Sequence, residues 1–89
     1  MKYTLKQLAV FDAVASQESV SAAARKLSMT QSAVSMSLSQ LENLLDRPLF
    51  IRQGNRLTLS HWGRWLRPKA KRLLQDAQQI ELGLHDQQL

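Results

Sequence analysis

Apolar residues recur near the start of the chain at the spacing of an amphipathic helix. The positions that follow steps of three and four residues are Leu5, Leu8, Phe11 and Ala15. Thr4 and Gln7 have the spacing of a capping box, in which each side chain accepts a hydrogen bond from the other residue's backbone amide. The pattern therefore predicts a first helix from about Leu5 to Ser16.

A second, shorter helix is predicted after Ser19, whose hydroxyl can cap it. Its apolar face comprises Val20, Ala23, Ala24 and Leu27. The small alanines allow another helix to approach closely, and Arg25 and Lys26 suit the negative end of the helix dipole. Ser28 and Met29 then form a tight connection to a third helix.

Two unlike faces are predicted for the third helix, which begins after its N-cap, Thr30. The apolar residues at steps of four, three and four are Val34, Leu38, Leu41 and Leu45. The opposite face is polar but uncharged and carries Gln31, Ser32, Ser35, Met36 and Ser39. An exposed helix face is usually solvated by lysine and glutamate, so this uncharged face calls for a functional explanation.

Two short strands are predicted after Pro48, at about Leu49 to Arg52 and Arg56 to Leu59. Gly54 and Asn55 join them and tolerate the positive φ angles of a tight hairpin turn. Because an isolated two-stranded ribbon is only marginally stable, we expect it to pack against the helices.

Ser60 is the predicted cap of a long last helix. Pro68 falls inside this helix and is expected to kink it or to remove one backbone hydrogen bond. The apolar residues keep a heptad spacing at Leu66, Ala70, Leu73, Ala77, Ile80 and Leu84. Such a seam predicts a dimer interface with a second copy of the helix. The alternative is that the helix folds back on the three-helix core of its own chain.

The basic residues of this 89-residue chain, whose formal net charge is +5, are clustered. From Arg47 to Arg72 every charged residue is basic. These residues are Arg47, Arg52, Arg56, Arg64, Arg67, Lys69, Lys71 and Arg72. A cluster of one sign creates a positive field that suits a polyanion. The alternative is a basic surface that is only solvated, and the charge cluster alone does not decide between them.

Catalysis and metal binding find no support in the sequence. The chain has no cysteine, which excludes disulfides, cysteine-ligated zinc and thiol catalysis. His61 and His85 have no companion carboxylate or thiol at the spacing of metal ligands. The 3 glycines form no phosphate-cradling loop, and no serine is arranged with a histidine and an acid. We therefore expect a protein without enzymatic activity, cofactor or metal.

The start of the chain has a short apolar patch that Asp12 interrupts, and it has no small-residue cleavage site. It resembles neither a signal peptide nor a membrane span, so a cytoplasmic location without membrane contact is expected. The length is that of one small domain.

Two helices joined by a tight turn, the second with an exposed face of glutamine and serine, match a helix-turn-helix motif. Base edges in the major groove offer neutral donors, neutral acceptors and the thymine methyl, which such side chains can contact. The candidate DNA-binding residues of this helix are Thr30, Gln31, Ser32, Ser35, Met36 and Ser39. The alternative is a serine-rich helix that is only solvated, although serine is a mediocre helix former.

Arg52 and Arg56 flank the hairpin turn and are also candidate DNA-binding residues. As a wing, they are expected to reach phosphates or a minor groove. The alternative is that their charges only protect an exposed strand edge.

A series of spaced residues matches a known protein family. They are Leu8, Phe11, Val14, Ser19, Ala23, Ala24, Leu27, Gln31, Ser35, Leu41, Glu42, Leu49, Phe50, Arg52, Leu59, Ser60 and Gly63. The stretch from about residue 4 to 63 resembles the N-terminal winged helix-turn-helix of LysR-type transcriptional regulators. Residues 64–89 look like the linker helix of that family, which pairs two subunits.

The predicted elements and this resemblance imply a mainly α fold, with a winged helix-turn-helix at residues 1–60 and a dimerisation helix at 61–89. The helix-turn-helix is expected at about 20–39 and the two-stranded β wing at about 49–59. The family implies a homodimer, often a tetramer, that binds double-stranded DNA at an interrupted inverted repeat near promoters. It also implies a C-terminal effector-binding domain of two α/β lobes, which is absent from this chain.

Three residues depart from the family pattern. Ser32 stands where proline is common, Met36 where arginine is frequent and Asp46 where glycine is usual. The first two are expected to change base preference and to weaken phosphate anchoring. Asp46 is expected to adopt the left-handed conformation at the end of the third helix, which aspartate tolerates at modest cost.

The sequence thus predicts a sequence-specific DNA-binding domain that acts by occupying its site. One rival is a helical protein-interaction module, in which the heptad seam is the function and the basic surface is solvated. Salt dependence of binding discriminates between them, because phosphate contacts release counterions. A second rival, a fragment of a nucleic-acid enzyme, has no residues at catalytic spacing to support it.

Overall fold

The computed structural model describes residues 1–87, in which it contains four helices and one two-stranded sheet. In chain order the elements are α1 (Leu5–Gln17), α2 (Val20–Leu27), α3 (Gln31–Leu45), β1 (Phe50–Gln53), β2 (Arg56–Leu59) and α4 (His61–Asp86). This arrangement confirms the predicted fold class, a mainly α winged helix-turn-helix followed by a long helix. The last two residues of the predicted dimerisation region, 88 and 89, lie outside the described residues.

Each helix begins where the sequence predicts, because a side-chain oxygen caps its first turn. The hydroxyl oxygen of each N-cap accepts a hydrogen bond from the backbone amide three residues later. The bonds are Gln7 to Thr4 (3.1 Å), Ala22 to Ser19 (3.1 Å), Ala33 to Thr30 (3.0 Å) and Gly63 to Ser60 (3.1 Å). The capping box of α1 is complete, since the Gln7 side chain also accepts the Thr4 amide at 2.9 Å. Each cap satisfies an amide that has no partner within the helix and contributes about 1 kcal/mol.

Three helices end at a residue other than glycine in the left-handed conformation, namely Glu18 (φ 55°), Ser28 (φ 56°) and Asp46 (φ 55°). The conformation of Asp46 confirms the sequence prediction. The positive φ angles of Glu18 and Ser28 were not predicted. Because a Cβ atom crowds the backbone in this region, each residue costs on the order of 1 kcal/mol relative to glycine.

Helix α1 lies at the centre of the core and contacts α2, α3 and α4. Its buried residues are Leu8, Val10, Phe11, Ala13, Val14 and Ala15. Burial therefore extends beyond the predicted stripe, because neighbours cover this helix from several sides. Ala23 and Ala24 of α2 are also buried, which agrees with the expectation that small residues allow close helix packing.

The apolar face predicted for α3 packs into the same core. Val34, Leu38 and Leu41 are buried, and Leu45 is partly buried against them. The wing is tied to the core by an aromatic contact, since the rings of Phe11 and Phe50 have centroids 5.5 Å apart.

The wing is an antiparallel hairpin in which Phe50 pairs with Leu59 and Gln53 pairs with Arg56. Gly54 occupies its turn with a φ of 61°, as the sequence predicts for a tight hairpin, whereas Asn55 does not have a positive φ. The first strand begins one residue later than predicted.

Ser60 fastens the end of the hairpin to its beginning and to α4. Its hydroxyl donates to the carbonyl oxygen of Pro48 at 2.6 Å, and its amide donates to the carbonyl oxygen of Leu49 at 2.9 Å. Gly63, one turn into α4, leaves no room for a side chain, because a Cβ atom there would overlap the Leu49 carbonyl and the Leu59 side chain. The wing and the first turn of α4 are therefore in direct backbone contact.

Helix α4 has 26 residues and continues through Pro68, whose missing N–H removes one helical hydrogen bond as predicted. At a rise of about 1.5 Å per residue it is about 39 Å long, which fits the 52 Å longest dimension of the molecule. Its first half packs on α1, whereas Ile80 (64% exposed) and Leu84 (59% exposed) lie on the half that extends beyond the core. No helix in the described part of the chain is both long and apolar enough to cross a membrane.

The apolar heptad residues of α4 fall into two groups, one packed on the core of the same chain and one exposed to solvent. Part of the predicted dimer seam is therefore corrected. Ala70 is fully buried in the core of its own chain, and Leu66 is partly buried against the same core. The prediction that Ala70 forms a dimer contact is therefore wrong. The physical reason is that a four-residue step suits packing on α1 as well as packing on a second helix. At Leu66 and Ala70 the helix therefore folds back on the core of its own chain, which was the alternative interpretation.

Candidate nucleic-acid interface

All six candidate residues of α3 lie on its solvent-exposed side. They are Thr30, Gln31, Ser32, Ser35, Met36 and Ser39. The buried residues Val34, Leu38 and Leu41 fix the rotation of the helix, so the uncharged face points outward. Met36 is 63% exposed, an arrangement that leaves its methyl group free to contact a ligand.

The turn between α2 and α3 is closed by backbone hydrogen bonds. The left-handed Ser28 donates its amide to the carbonyl of Arg25 at 3.3 Å, and Met29 donates to the carbonyl of Ala24 at 2.9 Å. These bonds end α2 and direct the chain into α3, whose first turn Thr30 caps. The relative orientation of the two helices is therefore set by local geometry together with the buried alanines of α2.

A polar cleft brings part of α3 together with the wing. Its volume is about 310 Å³, and it is lined by Glu18, Ser19, Val20, Ser21, Gln31, Ser35, Arg52, Asn55 and Leu57. The fold thus unites two candidate base-reading residues, Gln31 and Ser35, with the candidate wing residue Arg52. Met36 instead lines a separate groove with Lys6 of α1.

The two arginines of the wing have different surroundings. Arg52, in β1, is exposed, and no carboxylate of residues 1–87 lies within ion-pair distance of it. Arg56, in β2, forms an ion pair and a hydrogen bond with the carboxylate of Glu18 at the end of α1. The structure therefore leaves Arg52 available to a ligand, whereas the guanidinium of Arg56 already has a partner.

Half of the basic cluster lies near carboxylates of the same chain. In α4, Arg67 and Lys71 lie 3.7 and 3.6 Å from the carboxylate of Asp12 on α1. Arg47 lies 3.7 Å from the carboxylate of Asp46. With Arg56, half of the eight clustered basic residues therefore have an acidic partner, so the positive field comes from fewer side chains than the sequence implies.

The exposed part of the predicted seam lies in the second half of α4. Leu73, Ile80 and Leu84 are exposed and Ala77 is half-buried. The sequence interpretation missed an apolar surface beside it, a cavity of about 400 Å³ lined by Tyr3, Leu8, Leu45, Arg47, Leu49, Trp62, Trp65, Leu66, Lys69 and Leu73. Trp65 is 62% exposed and the ammonium of Lys69 lies 3.9 Å from its ring centre. The three-residue spacing of Trp62 and Trp65 in a predicted helix was a signal for this surface.

Comparison with known proteins identifies relatives along nearly the whole chain. The model of bacterial regulatory helix-turn-helix proteins of the lysR family matches residues 5–64. The HTH-type transcriptional regulator YeiE of Escherichia coli (strain K12) is 44% identical over 81 residues, which are 91% of this chain and 28% of that protein. The chain thus spans little more than a quarter of the length of this relative.

Solved structures agree with this relationship. The oxidized form of OxyR from Corynebacterium glutamicum superposes with a TM-score of 0.92 at 30% identity, covering 97% of this chain and 26% of that chain. The DNA-binding domain of BenM in complex with catB site 1 DNA superposes with a TM-score of 0.88 at 27% identity, covering 92% of both chains. The resemblance noted in the sequence is confirmed, and the chain belongs to the LysR family of bacterial regulatory helix-turn-helix proteins.

Proposed function

We propose that this chain binds double-stranded DNA at a specific sequence, as the DNA-binding domain of a LysR-family transcriptional regulator. The observation that carries the proposal is the uncharged, exposed face of α3, which shares a cleft with the unpaired arginine of the wing. Domains of similar structure from BenM and CbnR have been solved in complexes with DNA. We propose that the domain acts by occupying its site and catalyses no reaction, in agreement with the regulator names of its relatives.

Helix α3 is the proposed recognition helix in the major groove. Gln31 and Ser35 stand in its first two turns and line the cleft with the wing, so they are the proposed base-reading residues. A glutamine amide can pair bidentately with adenine, and a serine hydroxyl can donate or accept. Thr30, Ser32 and Ser39 add hydroxyl groups along the same face, and Met36 offers a methyl group to thymine.

Arg52 is the proposed phosphate or minor-groove contact of the wing. Its guanidinium has no acidic partner among the described residues, so binding a phosphate breaks no ion pair within the protein. Such a contact fixes the register of the domain on the duplex without reading sequence. It would also release about one counterion, which makes its contribution visible in the salt dependence of binding.

We propose that two copies pair through the second half of α4, with Leu73, Ala77, Ile80 and Leu84 as the seam. The charges of α4 favour an antiparallel arrangement. Residues 64–72 carry the basic side chains Arg64, Arg67, Lys69, Lys71 and Arg72, whereas residues 76–86 carry the acidic side chains Asp76, Glu81 and Asp86. A parallel pair would place like charges side by side along the whole helix, whereas an antiparallel pair centred on this seam brings Asp86 of one helix close to Lys71 and Arg72 of the other.

The site of such a dimer is expected to be an interrupted inverted repeat, because two equivalent recognition helices read two equivalent half-sites. The proposed location is the cytoplasm, where the bacterial chromosome lies. A regulator of the length of YeiE would carry further domains beyond this one. Effector binding and tetramer formation would then belong to that longer protein.

The test is selection of bound sites from random duplexes, followed by affinity measurements at several salt concentrations. The proposal predicts enrichment of two half-sites in inverted orientation whose centres are about 34–36 Å, or a multiple of one helical turn, apart. It also predicts a steep fall of affinity with salt. Recovery of no common sequence would contradict specific recognition, and affinity independent of salt would instead support a protein-interaction module.

A further inference from the structure

Glu18 occupies a backbone position that favours glycine. It follows the last residue of α1 with φ 55° and ψ 26°, and its amide donates to the carbonyl of Val14 at 2.8 Å. A glutamate side chain is disfavoured in this left-handed region, where glycine meets no steric penalty. A residue held in an unfavourable conformation next to a binding cleft is a reason to ask what its side chain does.

The side chain and the backbone of Glu18 both contact the wing. The carboxylate binds the guanidinium of Arg56, and the carbonyl oxygen accepts the amide of Leu57 at 3.1 Å. Both partners lie in β2, whereas Glu18 lies at the corner between α1 and α2. This corner therefore sets the position of the wing and also neutralises one of its two arginines.

The acidic member of the pair lines the cleft that the proposed function assigns to DNA. Glu18 lines this cleft together with Gln31, Ser35 and Arg52. Its side chain is 37% exposed and that of Arg56 is 68% exposed, so both charges face solvent that a duplex would replace. If Arg56 left its partner to bind a phosphate, the carboxylate of Glu18 would remain unpaired next to the polyanion.

We propose that Glu18 is a positioning residue that restrains Arg56, so that the wing contacts the DNA backbone through Arg52 alone. The ion pair enters the complex with no net charge. If Arg56 exchanged Glu18 for a DNA phosphate, the binding free energy would improve little, because the unpaired carboxylate of Glu18 would remain next to the DNA. The inference rests on the proposed function, since it concerns how strongly the domain binds phosphates. Arg56, a candidate DNA-binding residue from the sequence, is therefore not among the residues that we propose to contact DNA.

The test measures binding to a random-sequence duplex at several salt concentrations for Glu18→Gln. Glutamine removes the charge and keeps the backbone bond to Leu57, so the wing stays in place while Arg56 is released. We expect one additional phosphate contact, which steepens the slope of log affinity against log salt by about 0.9 and strengthens binding up to about eightfold at 0.1 M salt. A role limited to supporting the fold would not steepen this slope.

The matched control is Asp46→Asn. Asp46 also ends a helix at φ 55° and also pairs with an arginine, Arg47, but unlike Glu18 it does not line the cleft. The substitution changes the net charge by the same amount as Glu18→Gln, so the slope should remain that of the unaltered protein. An equal effect of the two variants would overturn the inference, because it would reflect net charge alone.

Adding Arg56→Gln to Glu18→Gln identifies which residue makes the new contact. The double variant should return to the slope of the unaltered protein, and a gain that persists would overturn the inference. If Glu18→Gln does not fold, Glu18→Gly provides the same release, because glycine suits a φ of 55°. Failure of the unaltered protein to bind any duplex would contradict the proposed function itself.

Discussion

The backbone amide of Leu49 donates a 2.6 Å hydrogen bond to the carboxylate of Glu42, seven residues earlier in the chain. This bond joins the last turns of the proposed recognition helix to the start of the wing. Helix α3 therefore has a polar connection to the wing, in addition to the apolar contact that Phe11 of α1 makes with Phe50 of the wing.

Replacing Glu42 with alanine is expected to destabilise the domain by about 1 to 3 kcal/mol, because a half-buried amide loses a charged acceptor. The free energy of unfolding in urea, at a fixed protein concentration, measures the effect. Asn43→Ala is the control, since Asn43 is the exposed neighbour on the same helix and should change the stability by less than about 0.5 kcal/mol. Equal losses in the two variants would show that the bond to Leu49 contributes nothing specific.

The two glycines of α4 should respond in opposite directions to alanine. At Gly63 a Cβ atom would overlap the carbonyl of Leu49, so Gly63→Ala is expected to cost about 1 to 3 kcal/mol. At Gly83 the added carbon would meet no atom within 4 Å beyond its chain neighbours and the backbone of its own helix, so Gly83→Ala should stabilise the helix by about 0.5 to 1 kcal/mol. Thermal unfolding of the two variants tests this, and a loss at Gly83 as large as that at Gly63 would contradict the packing described for α4.

Ile80→Asp is expected to convert the proposed dimer into monomers, because it places a charge in an apolar seam. Sedimentation measures the mass, and affinity for a full site should fall toward that for a half-site because the two modules are no longer linked. Gln79→Asp introduces the same charge beside the seam and should leave the dimer intact. A dimeric Ile80→Asp variant would mean that the subunits meet elsewhere.

Arg52→Ala is expected to weaken binding to specific and random duplexes alike and to reduce the salt slope by about 0.9, since one phosphate contact is lost. Titrations of both duplexes at several salt concentrations provide the measurement. An unchanged slope together with an unchanged affinity would show that the wing does not contact DNA.

The sequence predicted the features that depend on neighbouring residues. The N-caps Thr4, Ser19, Thr30 and Ser60 follow from the chemistry of a hydroxyl next to a helix start, and all four were confirmed. The left-handed conformation of Asp46 was predicted because this residue stands where the family usually has glycine, and it was also confirmed.

Features that depend on distant residues were not predictable in this way. Glu18 and Arg56 are 38 positions apart, and no periodicity indicates that a helix end and a strand would bring them together. The burial of Ala70 was missed for a different reason. A series of apolar residues at helical spacing defines a face but does not say whether the protein's own core or a second subunit covers it.

The central claim is that the uncharged face of α3 reads base edges. The affinity of the Gln31→Ala variant for a selected site and for a random duplex tests it most directly. The account predicts a loss of about 1 to 3 kcal/mol on the selected site, relaxed preference at one position of each half-site and little change on the random duplex. Gln40→Ala, which changes an exposed glutamine more than two turns further along the helix, is the control and should leave both affinities unchanged. Equal weakening of Gln31→Ala on the selected and the random duplex would contradict base reading by this face.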